Sequence, residues 1–262
     1  MLDNLPEPFF DLIRWTKAGE QIPGTGEIHV WKANLDNWGE RLAEFHTYLS
    51  ELEKKRADRL MFEGLRQHFT AGHAITRLIL GQYLKQRPGE VEIAIRPGGK
   101  PVLAGISNQS LKPLLFNLSH SGSFLLVSIS RHYDPGIDLE TIRPEFERGL
   151  VSSRFFSAKE RVWLDMQQTD QKAAAFFKLW TCKEAVLKAE GGGIRRGLEE
   201  VHIEFGPETD TARASLADLI NAGRTWSIKM FGPAAGYTAA LAFENDASAI
   251  VYPKLSFYQW TG

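Results

Sequence analysis

The chain has 262 residues, 43% of them hydrophobic and 24% charged, which excludes an intrinsically disordered or membrane-spanning composition. Lys and Arg number 31 against 32 Asp and Glu, so no global field calls for nucleic acid. The single cysteine, Cys182, excludes an intramolecular disulfide and suits a reducing compartment. The first thirty residues show no basic start followed by an apolar core, and no apolar run nears the roughly 18 residues that span a bilayer. The expectation is a cytoplasmic protein without a membrane or nucleic-acid partner.

Residues 1–26 carry Pro6, Pro8, Pro23, Gly24 and Gly26 and read as an N-terminal extension, in which only Phe9 to Trp15 can pack on something. Glu27 to Lys32 alternates as a half-buried strand does, and Trp38, Leu42, Phe45 and Leu49 follow at helical spacing. Ser50 with Glu53 forms a capping-box signature. A long helix is expected from about Leu65 to Tyr83. Val91 to Arg96 alternates again and is followed by the turn-rich Pro97-Gly98-Gly99-Lys100-Pro101. Two strands, Leu114 to Leu118 and Phe124 to Ile129, are expected to be joined by the polar turn Ser119-His120-Ser121-Gly122. His132 to Gly136 marks a boundary, because beyond it the strand and helix pattern begins again.

The second half opens with a short strand, Ile137 to Glu140. Ser157-Ala158-Lys159-Glu160 is a second capping-box signature, and Gln171 to Glu190 reads as a longer helix stopped by Gly191-Gly192-Gly193. Val201 to Phe205, Trp226 to Phe231 and Tyr237 to Phe243 read as strands, whereas the aromatic tail from Pro253 shows no clear period. The division is therefore an extension at 1–26, an N-terminal α+β subdomain at 27–133 and a C-terminal α+β subdomain at 134–262.

Several residues have the chemistry of a site. Asp138 and Glu140 lie two apart on a strand, so both carboxylates project from one face and can share a hard cation; such pairs are more often simply solvated. Glu184 and Lys188 lie four apart on a helix, as a surface ion pair does, or as a third carboxylate beside a phosphate-binding ammonium. His120 reads as an ordinary turn histidine or as a phosphate contact. Cys182, with no histidine beside it in sequence, reads as a buried packing residue.

The order of these segments carries more than any one of them. Gly99-Lys100-Pro101, Phe116-Asn117-Leu118-Ser119-His120-Ser121-Gly122, Gly136-Ile137-Asp138-Leu139-Glu140 and Trp180-Thr181-Cys182-Lys183-Glu184-Ala185-Val186-Leu187-Lys188 together resemble the Sfp-type 4'-phosphopantetheinyl transferases. Phe155-Phe156-Ser157 and Glu190-Gly191-Gly192-Gly193-Ile194 resemble that family too. The resemblance implies a pseudo-twofold α+β monomer whose two similar subdomains hold coenzyme A and magnesium in the cleft between them. By position it makes Asp138, Glu140 and Glu184 the magnesium carboxylates and Lys188 the pyrophosphate lysine. It sets Ser119 and His120 at the coenzyme phosphates, Lys100 and Pro101 at the adenine-side turn, and Arg56 near the 3'-phosphate. Pro135 departs from the small aliphatic residue common before Gly136, and His68 and Phe69 stand where the family often offers Arg or Thr.

The implied activity is transfer of 4'-phosphopantetheine from coenzyme A to a serine of an apo acyl or peptidyl carrier protein, releasing adenosine 3',5'-bisphosphate. Glu184 is the candidate base and Lys188 the charge-stabilising cation. Two other readings compete: a metal-dependent phosphoester hydrolase, which the same residues suit, and a non-catalytic module that binds coenzyme A or carrier, which needs the basic positions but not all three carboxylates.

Overall fold

The computed structural model describes residues 16–17, 22–104, 113–144, 153–192, 197–206, 208, 210–217, 223–245 and 252–262. The apolar stretch at 9–15, and Gly193 and Ile194 of the glycine-rich stop, lie outside the described residues. In chain order the strands and α-helices are β1 (Thr16–Lys17), β2 (Glu27–Asn34), α1 (Leu42–Tyr48), α2 (Glu51–Asp58), α3 (Glu63–Leu84), β3 (Ile93–Ile95), β4 (Pro101–Leu103), β5 (Leu115–Ser121), β6 (Phe124–Ser130) and β7 (Gly136–Thr141). They continue with α4 (Ala158–Asp165), α5 (Lys172–Glu190), β8 (Val201–Phe205), β9 (Thr211–Leu216), β10 (Thr225–Phe231), β11 (Tyr237–Asn245) and β12 (Lys254–Gln259).

The helix ends follow from local chemistry. At α2 the Ser50 hydroxyl accepts the Glu53 amide at 3.3 Å while the Glu53 carboxylate accepts the Ser50 amide at 2.7 Å, and Ser157 with Glu160 repeats this box at α4. Each box satisfies amides that the first helical turn leaves without a partner. Helix α5 ends at Gly191, whose φ of 87° is left-handed and whose amide donates to the Leu187 carbonyl at 3.0 Å; glycine takes this conformation without the penalty a Cβ brings.

Three expectations are corrected. Ser119, His120 and Ser121 are not turn residues: they continue β5 in register with Leu126, Leu125 and Phe124 of β6, and the turn is only Gly122-Ser123. The helix expected across Trp38 to Leu49 splits into a 3-10 segment, Asp36–Arg41, and α1, because Trp38 has non-helical backbone angles. The tail from Pro253, which the sequence boundary puts in the second half, supplies β12, and β12 pairs in parallel with β2 of the first half. Strand β9 was also not foreseen; its small Ala212, Ala214 and Ser215 give little strand signal, and pairing with β8 and β10 on either side holds it extended.

Two five-stranded sheets result, ordered β1-β12-β2-β6-β5 and β7-β11-β10-β9-β8. Period-two alternation splits the central strands β2, β6, β10 and β11 between two cores. Trp31 and Ala33 of β2, with Leu125, Val127 and Ile129 of β6, pack under α3 residues Ile75, Ile79 and Leu80. Ala240 and Ala242 of β11, with Trp226 and Ile228 of β10, pack under α5 residues Phe176, Leu179 and Val186. Between the sheets lies a third core of Ile28, Val30, Leu126, Ile137, Leu139, Leu241 and Phe243. Each half is thus a helix on a sheet, and the chain is α+β. Among the described residues no helix is long and apolar enough to cross a membrane.

Candidate active site

The two sheets meet along edge strands β5 and β7, and the seam is closed by side chains in place of a backbone ladder. Asn117 Oδ1 accepts the Ile137 amide at 2.9 Å, Ser119 Oγ donates to Asp138 Oδ1 at 3.0 Å, and Ser121 Oγ accepts the Thr141 amide at 3.0 Å. Residues 117, 119 and 121 share one face of β5 by strand periodicity. Asn117 and Ser121 thereby satisfy two amides on the edge of the second sheet, which would otherwise be open to pairing.

Along β7, Ile137 and Leu139 point into the inter-sheet core, so Asp138 and Glu140 face the other way. Helix α5 carries Glu184 and Lys188, which line the same cleft as those carboxylates. Lys188 Nζ donates to Asp138 Oδ1 at 2.7 Å, to Ser119 Oγ at 2.9 Å and to the Ile137 carbonyl at 3.2 Å. The rotation of α5 is fixed from its opposite side by Lys183, whose buried ammonium meets Glu160 at 2.8 Å and donates to the carbonyls of Phe155, Leu198 and Val201. A buried lysine needs such saturation, since an unpaired charge there costs several kcal/mol.

The electrostatics are those of crowded carboxylates. Burial first, and the neighbouring Asp138 second, push the Glu140 carboxyl up to about 7 against the pull of the Ser121 hydroxyl. Burial and Asp138 also raise Glu184, while Lys188 lowers it. Asp138 Oδ2 is buried and has no hydrogen-bond partner among the described residues. Among the described residues no group of three or more His, Cys, Asp or Glu side chains is placed to hold a metal ion by itself. A closed cage is not required of a hard cation that takes one or two carboxylates and leaves its other positions to water and phosphate. An orphaned buried carboxylate oxygen beside two carboxyls whose ionisation is suppressed is the donor set such a cation fits.

All nine residues singled out from sequence line one cleft of about 740 Å³: Arg56, Lys100, Pro101, Ser119, His120, Asp138, Glu140, Glu184 and Lys188. They do not all present their polar groups to it. The Lys100 ammonium is buried, bonded to the Pro135 and Ala189 carbonyls and paired with Asp134. Exposed Arg56 lies over the Phe69 ring at 5.8 Å. His120 is exposed toward the cleft, although the protein around its ring, and then Lys188, lower its pKa. His68 lines the cleft and donates to Asp36 at 2.7 Å. Cys182 is fully buried, with burial pushing its thiol up to about 12, so it is inert as a nucleophile.

Glu53 was legible only as a helix cap. It also accepts from His73 Nδ1 at 3.0 Å and from Arg77 Nη2 at 2.7 Å, and it lines the cleft with His73. The 20-residue separation of Glu53 from His73 hides this group from sequence reading, because it depends on how α2 packs on α3.

Residues 134–242 match the profile of the 4'-phosphopantetheinyl transferase superfamily, and residues 30–132 match that of the 4'-phosphopantetheinyl transferase N-terminal region. The chain is 39% identical over 216 residues to the 4'-phosphopantetheinyl transferase HetI of Nostoc sp., covering 82% of this chain and 87% of that protein. It is 35% identical over 127 residues to the 4'-phosphopantetheinyl transferase AcpT of Escherichia coli, covering 48% of this chain and 59% of AcpT. Among solved structures, Helicobacter pylori holo-[acyl-carrier-protein] synthase in complex with coenzyme A aligns with a TM-score of 0.35 and 20% identity, over 42% of this chain and 99% of that one.

Proposed function

Because the chain belongs to the 4'-phosphopantetheinyl transferase superfamily, we infer that it transfers the 4'-phosphopantetheine of coenzyme A to a serine of a carrier protein. The observation that carries the site assignment is the junction of Lys188 with Asp138 and Ser119, beside Glu140 and Glu184 in one cleft. It gathers a cation, hydroxyl donors and ionisable carboxylates, the groups that phosphoryl-type displacement on a pyrophosphate requires.

In this reading Lys188 and Ser119 bind the pyrophosphate oxygens, and His120 and Arg56 extend the cation-bearing wall toward the rest of the coenzyme. Asp138, Glu140 and Glu184 would hold magnesium, whose chemistry there is neutralisation of charge on the pyrophosphate. Glu184 takes the proton of the carrier serine, for which its partly buried, raised carboxyl is suited. The serine oxygen forms its bond to the phosphorus bearing pantetheine, and the phosphorus bond to the leaving oxygen of adenosine 3',5'-bisphosphate breaks. Lys188 offsets the charge gathering on that leaving group. The enzyme works as a cytoplasmic monomer, a reading supported by its single buried thiol and by a cleft that the two halves of one chain complete.

The test is mass spectrometry of an apo carrier protein incubated with the enzyme, coenzyme A and magnesium. The expected result is addition of one phosphopantetheine with release of one adenosine 3',5'-bisphosphate. Release of the bisphosphate at the same rate without carrier would instead establish a hydrolase.

A further inference from the structure

The hairpin β3–β4 belongs to neither five-stranded sheet, and its tip reaches the second half. A Cβ at Gly98 would lie 1.9 Å from the Gly191 carbonyl oxygen and 3.1 Å from Gly192, so here hairpin backbone rests directly on the C-terminal end of α5. The next residue but one, Lys100, is 5% exposed and sends its ammonium across the same contact. It donates to the Ala189 carbonyl in the last turn of α5 at 3.2 Å and to the Pro135 carbonyl, between β6 and β7, at 3.1 Å. Asp134 completes its shell at 2.6 Å and also pairs with Arg96 of the hairpin turn at 3.5 Å.

A cation at the C-terminal end of a helix satisfies orphan carbonyls and complements the helix dipole. This one comes from the other half of the molecule. Ala189 adjoins Lys188, and Pro135 precedes β7, so the ammonium ties together the two elements that carry Asp138, Glu140, Glu184 and Lys188. With every acceptor supplied by the protein, burial depresses the Lys100 pKa and Asp134 restores part of it.

We propose that Lys100 is a positioning residue: its side chain latches the first-half hairpin to the end of α5 and the start of β7, fixing the spacing of the catalytic groups across the cleft. The proposal rests on the transferase reading and replaces a direct contact between the Lys100 ammonium and coenzyme A. Pro101 and the hairpin backbone remain the cleft wall at that point. Asp134, which does not line the cleft, is part of the latch.

The test compares wild type, Lys100→Met, Asp134→Asn and the double variant in carrier loading, at a temperature well below each melting point. Hydrogen exchange of the ligand-free proteins is measured alongside. Latching requires kcat/KM to fall in both single variants, by about tenfold or more for Lys100→Met, since small displacements of reacting groups cost that much. The double variant should be no worse than Lys100→Met, as expected for residues acting in one contact. Exchange should quicken in residues 187–192 and 134–137.

Direct coenzyme binding predicts the opposite sign for Asp134→Asn, because the freed ammonium would hold coenzyme A more tightly; that result overturns the latch. Wild-type kcat and KM in Lys100→Met with only a lower melting point would also overturn it, leaving a purely structural lysine. Should Lys100→Met not fold, the sign of the Asp134→Asn effect decides. Should the wild type itself fail to load carrier, the transferase reading falls, and exchange at both segments still decides the latch: unchanged exchange overturns it.

Discussion

Lys188 Nζ stands 2.7 Å from Asp138 Oδ1, and the Ser119 hydroxyl bonds to both partners. One residue comes from a helix, one from an edge strand of the second sheet and one from an edge strand of the first. The junction of the two sheets and the reactive cluster are therefore the same place. The other oxygen of that carboxylate, Oδ2, is buried and has no hydrogen-bond partner among the described residues.

Asp138→Asn keeps the shape of the side chain and removes one charge from the group proposed to hold magnesium. Folding should survive. Carrier loading should fall by about 10²-fold, the scale on which a single electrostatic contact to developing charge acts. Coenzyme A should still bind, because Arg56 and His120 do not act through Asp138. Calorimetry with coenzyme A and carrier loading across a magnesium titration check this, and wild-type loading by the variant would remove Asp138 from the site.

On α5, Lys188→Ala should slow transfer by about 10² to 10³-fold. Cys182→Ala, six residues earlier on the same helix, should leave transfer near wild type and cost about 1 kcal/mol of stability. Initial loading rates and denaturant melts of both variants measure the contrast. Abolished activity in a folded Cys182→Ala protein would reverse the assignment of roles on this helix.

Coenzyme A and magnesium together should raise the melting temperature, because ligands that bind only the native state stabilise it by mass action. At about a hundredfold excess over Kd the gain is about 2.7 kcal/mol, on the order of 5–10 °C for a chain of this size. A thermal shift assay with each ligand alone and with both reads it. No shift at saturating concentrations of both would count against the cleft as their site.

The carboxylate cluster should also make stability depend on pH. Glu140, raised in the folded chain to about 7 from an ordinary 4.5, binds more protons folded than unfolded between those values. Its contribution is therefore fully present below about 4.5 and is lost as pH rises through about 7. His29 and His120, whose pKa values are lowered mainly by burial, act in the opposite sense below 6.5, so the wild-type curve alone is a mixture. Glu140→Gln isolates the carboxyl: in chelating buffer its melting point should match wild type near pH 5 and exceed it near pH 7.5. An unchanged difference between the two proteins across that range would show that folding does not raise the Glu140 carboxyl.

What lay within a few residues of itself was legible without a structure. The capping boxes at Ser50 and Ser157, the stop at Gly191, the shared face of Asp138 and Glu140, and the helix carrying Glu184 and Lys188 all depend on local backbone chemistry that neighbouring residues specify. Motif order supplied the candidate residues, and all of them border one cleft. Tertiary packing decided the rest. Ser119 and His120 looked like a turn because small polar residues favour turns, yet they form strand because Asn117, Ser119 and Ser121 find their partners on β7. The tail enters the first sheet beside a strand more than two hundred residues earlier, a parallel pairing that no local pattern encodes. Lys100 turns its ammonium inward for the same reason: the carbonyls that hold it, Pro135 and Ala189, come within reach only when the two halves have met.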